Sequence, residues 1–343
     1  MERHAGPAAA GRAFMVWGAL AAIALAALAT AAACGTRGCD WRQPLDAFAG
    51  GGDALAREIV LRLRLPRALT GFAVGGLLAM AGALMQVLLR NPLADPYVLG
   101  VSGGASLAAL LALAAGAGGV ALLGASWAGA VLAIVLLFAL GARSERAAGL
   151  QGASEAPTRL LLAGVILASG WGALITLVLA LAPDAQLRSM LFWLIGELSG
   201  ATPWGAPLAA LAVALALGVA LARPLNVLLQ GDARAFSLGV DVRRLRAVVC
   251  LIAAAATAFA VTAAGSIGFV GLLVPHAVRR VTGNDQRVLL PACALAGGTL
   301  VVAADTLART VIAPQQLPVG AIMALVGAPA FLWLLLRGSR VPR

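Results

Sequence analysis

The 343-residue chain contains no lysine; all 25 of its basic residues are arginine. A Walker A loop needs its lysine to hold the β- and γ-phosphates of a nucleotide. An ordinary P-loop ATPase is therefore excluded, and any ATP used must be hydrolysed by a partner. Acidic residues number only 14, charged residues of both signs make up 11% of the chain, and there are two histidines and one tyrosine. Soluble domains average about 25% charged and 45–50% apolar residues, whereas this chain is 62% hydrophobic with a mean hydropathy of +0.96. A soluble enzyme is excluded, and so is a large extramembrane domain, because about 20 apolar residues per span plus connections fill the length with about ten helices. No His, Cys or carboxylate cluster has metal-site spacing, and no nucleophile–base pair stands out. Neither catalysis nor a bound metal or cofactor is expected of this chain.

What is abundant is small and apolar: Ala, Leu, Val and 41 Gly, with aromatics at 5%. Small residues let helix backbones approach closely in lipid. The apolar runs are long rather than alternating, which excludes an outer-membrane barrel. Spans are predicted at 14–33, 68–89, 97–115, 119–140, 160–182, 206–222, 247–265, 266–278, 288–305 and 317–336. The segment 266–278 is too short to cross, so it is either a half-helix or continuous with its neighbour. The expected architecture is one all-α polytopic domain over 1–343, with an outer loop at 35–63 and a polar cytoplasmic segment at 223–246. With the N-terminus inside, 17 Arg fall on the inner side and 8 on the outer, so the charge bias places both termini in the cytoplasm. Dispersed among hydrophobic runs, the Arg behind the net charge of +11 suit loops beside an anionic leaflet and not a nucleic-acid face.

Arg3 and Arg12 precede an apolar stretch ending at Ala31-Ala32-Ala33-Cys34, which looks like a lipoprotein cleavage site. The stretch is longer than the roughly 7–15 residues of a signal h-region, so it reads as a retained span. Cys34 and Cys39 fall outside, where an oxidising compartment allows a small disulfide loop; two free thiols are the alternative. Cys250 and Cys293 read as packing residues, and His276, at an inner helix end, reads as a capping or packing residue. A Gly-rich helix running into a polar loop occurs at 71–95 and again at 265–285, a faint repeat of the kind transporters carry.

Six of the eight outer Arg lie between residues 37 and 67, against the orientation bias. Held there, Arg57, Arg62, Arg64 and Arg67 suit docking to an acidic partner, with a solvated collar as the plainer reading. Asp305 precedes Arg309 by four residues, a spacing that can pair them on one helix face. In the inner segment, Asp232 is a candidate N-cap, Ala233 to Leu238 make about two turns that expose Phe236 and Leu238, and Gly239 can end the helix in the left-handed region.

Several segments, in order, resemble the FecCD family: Arg64-Leu-Pro-Arg67, Asn91-Pro-Leu-Ala-Asp-Pro96 with Leu99-Gly-Val-Ser-Gly-Gly-Ala105, Arg159-Leu-Leu-Leu-Ala-Gly164, Gly268-Phe-Val-Gly-Leu-Leu-Val-Pro-His276, Ala304-Asp-Thr-Leu-Ala-Arg309, and Leu317-Pro-Val-Gly320 with Gly327-Ala-Pro329. The family's members are membrane subunits of ATP-driven importers for ferric siderophores, haem and cobalamin. The resemblance implies a type II importer permease that works as a homodimer with two separate ATP-binding-cassette ATPases, which would bind the ATP and Mg. It also implies a periplasmic binding protein that docks on Arg64, Arg67 and Arg309, with Asp305 orienting the last. Gly231, Asp232, Ala235, Phe236, Leu238 and Gly239 would form the coupling helix in the ATPase groove. The inner gate would lie at Pro157 and Thr158, and Trp193 to Glu197 would border the path. Pro157 departs from the hydroxyl residue that relatives often carry. The resemblance places the chain in the bacterial inner membrane. A secondary transporter with inverted repeats is the rival, but ion coupling normally needs an ionisable group within the bilayer, and only Glu197 and Asp305 come near a span.

Overall fold

The computed structural model describes residues 7–36, 38–51, 53–148, 156–199 and 204–338. Helix α1 (Pro7–Ala33) ends in a two-strand ribbon, β1 (Cys34–Gly35) against β2 (Gly38–Cys39), closed by a Cys34–Cys39 disulfide. The expected outer loop is largely helical: α2 (Arg42–Ala49) and α3 (Ala54–Glu58) lead through a π-helical stretch, Ile59–Arg64, directly into α4 (Leu65–Leu88). Asp40 accepts the Arg42 N–H at 2.9 Å to start α2, and Gly50 ends it at φ +78°. A short 3₁₀ turn, Pro96–Leu99, precedes α5 (Val101–Ala114), α6 (Gly119–Ala148) and α7 (Ala156–Leu181). Then follow α8 (Asp184–Ile195), α9 (Gly205–Ala220), α10 (Ala222–Leu228), α11 (Asp232–Ser237), α12 (Val242–Ala264), α13 (Val270–Thr282), α14 (Gln286–Thr310) and α15 (Val319–Gly338).

Each of the ten predicted spans falls on one of these helices. Six helices are long and apolar enough to cross a membrane, and the α9–α10 pair, bent by 58°, counts as a seventh. α5 and the stretch 319–334 of α15 are shorter apolar helices. The segment 266–278 proves to be a half-helix: α12 stops at Gly265, and α13 restarts after Phe269, both in the left-handed region at φ +67° and +68°. A break in a membrane helix frees backbone groups that lipid cannot satisfy. Here the single tyrosine satisfies two of them, because the Tyr97 hydroxyl donates to the Ile267 carbonyl and accepts from the Ile267 N–H, each at 2.9 Å.

The core is built around α4, whose side chains from Gly71 to Leu88 are nearly all buried and which packs against α14, α12, α13, α9 and α1. Glycine in a helix interior costs about 1 kcal/mol in water, and in this bundle it permits backbone contact. A Cβ at Gly75 would stand 2.2 Å from the Gly297 carbonyl oxygen, and one at Gly82 would stand 1.9 Å from that of Gly271. The same device joins α5 to α6, where a Cβ at Gly129 would meet the Gly104 carbonyl oxygen at 2.2 Å. The two echoing segments of the sequence thus touch each other, α4 against α13. Gln86 reinforces the seam, donating to the carbonyls of Gly271 and Leu272 at 3.4 Å and accepting from Arg279 at 3.0 Å.

Candidate functional site

Two polar clusters mark opposite ends of α4. At the ribbon end, Asp305 on α14 is buried between two guanidiniums. Arg67 meets it through Nε (3.1 Å to each carboxylate oxygen) and Nη2 (2.8 Å to Oδ1), and Arg309 Nε lies 3.1 Å from Oδ2. The helical spacing of Asp305 and Arg309 thus yields the expected pair. Arg67 comes from α4, so this cluster also ties that helix to α14. Arg67 spends its remaining arm, Nη1, on Gln316 Oε1 at 2.8 Å.

Arg64 lies nearby but does not join the carboxylate. Its Nη1 donates to the carbonyls of Ala32 and Ala33 at 3.1 and 3.0 Å and to Gln43 Oε1 at 3.2 Å. It therefore caps the last turn of α1, where a cation meets the negative end of the helix dipole. Its guanidinium lies under Gly35, at which a Cβ would stand 2.8 Å from Nη2. Of the Arg grouped by sequence in one collar, Arg57 and Arg62 are exposed and Arg64 and Arg67 are half-buried; Arg309, which comes from α14, is buried. The three candidate docking guanidiniums are thus brought together, each with partners in its own chain. Nothing in the sequence pointed to Gln43 or Gln316, because lone amides carry no spacing signal.

At the other end, α11 stands on the polar connection. Gly231, at φ +117°, occupies the N-cap position, and Asp232 is the first helical residue rather than the cap; its side chain makes no capping bond. The carboxylate pairs instead with Arg90, just past α4, and with Arg246 on α12 at 2.8 and 2.9 Å. Ion pairing thus outcompeted the cap expected of Asp at that position. Arg90 itself takes φ +47°, and burial, then the nearby Arg246, lowers its pKa. Ala235 packs inward, whereas Phe236 is 80% and Leu238 61% exposed. Gly239 terminates the helix in the left-handed region at φ +77°, as the sequence suggested.

The tail of α8 lies close to the ribbon-end cluster, with Glu197 in electrostatic reach of Arg67 and Asp305. The Glu197 N–H donates to the Ala264 carbonyl at 2.8 Å, and the Gly320 N–H to the Gly196 carbonyl at 3.2 Å. A Cβ at Gly265 would stand 2.1 Å from the Trp193 carbonyl oxygen, and one at Gly320 would stand 1.6 Å from that of Ile195. Trp193 and Glu197 therefore lie on a seam shared by α8, the α12–α13 break and the start of α15. The Glu197 carboxylate accepts from the Ser199 hydroxyl, and the Trp193 indole N–H is buried without a partner. Pro157 and Thr158 fall in the first turn of α7, and their side chains lie outside the described residues. His276 borders Phe331, 6.2 Å between ring centroids, with Arg280 Nη2 at 3.4 Å, an aromatic and polar packing position.

A helical bundle with discontinuous helices inside it, and with polar clusters at both ends, is the architecture of a multi-pass membrane transport permease. The sequence model of the FecCD transport family matches residues 21–337, and the chain belongs to that family. It is 44% identical to the cobalamin import system permease protein BtuC of Halobacterium salinarum, over 82% of this chain and 74% of that one. It is 40% identical to the hemin transport system permease protein HmuU of Yersinia pestis, over 82% and 84%. Against the Fe(3+) dicitrate transport system permease protein FecD of Escherichia coli K12 the identity is 41%, over 81% and 85%. In structure it superposes on a chain from an inward-facing, metal-chelate type ABC transporter with a TM-score of 0.81 at 26% identity, covering 94% of this chain and 99% of that one. The protein is accordingly a permease of the ABC importer kind.

Proposed function

We propose that this permease carries a bulky iron complex, haem or ferric siderophore, or cobalamin, from periplasm to cytoplasm across a bacterial inner membrane. Relatives named for cobalamin, hemin and ferric dicitrate support the cargo class. In the proposed orientation both termini and α11 are cytoplasmic, the disposition that puts 17 of the 25 Arg inside. Two copies pair, with exposed apolar side chains on α7 and α15, such as Leu177 and Leu332, at the contact. Two separate ATPases bind ATP and Mg and close beneath α11. A binding protein delivers cargo at the Arg64, Arg67 and Arg309 end, and Trp193, Glu197, Pro157 and Thr158 border the route and its inner gate.

The observation that carries the coupling assignment is α11 itself. A six-residue helix is too short to be stable alone, yet it is fixed by Asp232 and Ala235 while leaving Phe236 and Leu238 exposed among the described residues. Apolar side chains presented this way suit a groove in a partner. Phe236→Asp changes a side chain that is 80% exposed. In proteoliposomes containing the permease and its ATPase, it should abolish cargo uptake while leaving the permease folded; uptake at the unsubstituted rate overturns the assignment.

A further inference from the structure

At the ribbon end the chain carries an apolar surface that the transport reading does not use. Trp41, Leu45 and Phe48, spaced by four and three residues, form one stripe along α2 and are 55%, 69% and 65% exposed; Leu55 on α3 adds another exposed apolar side chain at 58%. The opposite side of α2 is pinned, with Ala47 buried. A stripe of this kind on a short amphipathic helix marks a docking face.

We infer that α2 is an interfacial anchor, lying in the membrane–water boundary with Trp41, Leu45 and Phe48 inserted among the lipids. Three observations choose lipid over a protein partner. First, the depth is set. The disulfide and the 3.2 Å bond from the Asp40 N–H to the Ala33 carbonyl start α2 directly at the end of a membrane-spanning helix. That is the level where Trp concentrates in membrane proteins. Second, α1, on whose end α2 sits, is a rim helix with only 11% of its apolar window buried, so lipid adjoins this part of the bundle. Third, the charges around the stripe nearly cancel, Asp40, Asp46, Asp53 and Glu58 against Arg42, Arg57 and Arg62. A soluble partner would find little field to steer it here. Insertion by apolar area alone needs none, so the anchor should hold in zwitterionic lipid and at high salt.

The anchor gives α4 an extended reach. The continuous helical path from Ala54 to Leu88 is 35 residues, roughly 50 Å at 1.5 Å per residue, against a hydrocarbon core of about 30 Å. Its first turns must therefore stand clear of the hydrocarbon. With α2 lying in the interface beside them, Arg64 and Arg67 are held at a fixed height.

The test is nitroxide depth measurement on the full-length permease in phosphatidylcholine nanodiscs, with Leu45→Cys, Phe48→Cys and Asp46→Cys labelled singly. Native thiols do not compete, because Cys34 and Cys39 are bonded and Cys250 and Cys293 are buried. Labels at 45 and 48 should be several-fold more accessible to oxygen than to a water-soluble nickel chelate, at a depth of about 5–10 Å, with the order reversed at 46. The pattern should persist in high salt. Nickel accessibility at 45 and 48 equal to that at 46 overturns the proposal, as does shielding of those two sites only when a binding protein is added. A further measurement, quenching of Phe48→Trp fluorescence by brominated lipid, reads insertion without relying on the introduced thiol, and absence of quenching beyond that of the unsubstituted protein would count against it.

Discussion

Asp305→Asn tests the polar core of the ribbon end. The substitution keeps the shape and one acceptor oxygen but removes the charge that two guanidiniums share. Asp305 is 1% and Arg309 4% exposed, and the Arg67 side chain is 14% exposed, so solvent screens little of the loss. Removing one partner of a buried ion pair costs about 3–5 kcal/mol, because the remaining charge is left uncompensated; here two such charges remain, Arg67 with Gln316 and Arg309 with only long bonds of 3.4–3.5 Å to Asp305 O, Ala31 O and Thr306. Unfolding in mild detergent, followed by helical circular dichroism, should register a loss of that size. The double variant Arg67→Met with Asp305→Asn should recover part of it, since one stranded charge is removed, and the coupling from the full double-mutant cycle should exceed about 1 kcal/mol. A single-variant loss below ~1 kcal/mol, or additive losses in the cycle, would show that the cluster is a solvated surface feature and refute the reasoning.

The glycine seams and the helix break give two more expectations. Gly82→Ala drives a Cβ to 1.9 Å from the Gly271 carbonyl oxygen, and should cost about 3 kcal/mol or more; thermal unfolding checks it, with Gly124→Ala, which meets nothing within 4 Å, as a neutral control. An unchanged midpoint for Gly82→Ala would mean the seam is looser than described. Tyr97→Phe strips both partners from Ile267 and should destabilise by about 2 kcal/mol through the unpaired backbone groups. Hydrogen exchange at Ile267 should rise as well, and protection equal to that of the unsubstituted protein would argue against the clip.

The spans were legible because a bilayer demands long apolar runs, and α1, α4, α7 and α12 write that demand plainly. What went unread is amphipathic and short. α2 and α8 mix polar and apolar residues and sit at or near interfaces, where hydropathy is weakest; Pro44 inside α2 further obscured it. Of the candidate site, the pairing of Asp305 with Arg309 followed from helix periodicity, while Arg67 joined them from a distant segment, a tertiary fact no spacing encodes. Asp232 illustrates a competition: its residue type favours a cap, but Arg90 and Arg246 arrive from two other elements and take the carboxylate. Phe236, Leu238 and Gly239 behaved as local rules expect, because little tertiary structure surrounds them.

Gly75 faces Gly297 and Gly82 faces Gly271 at backbone distance, with the side chains of Val301, Ala79 and Pro96 closing round the contacts. A fit this close has no tolerance: one methyl group on either face would wedge the pair apart and carry the displacement along the helix. These points therefore key the register of α4 against α14 and α13.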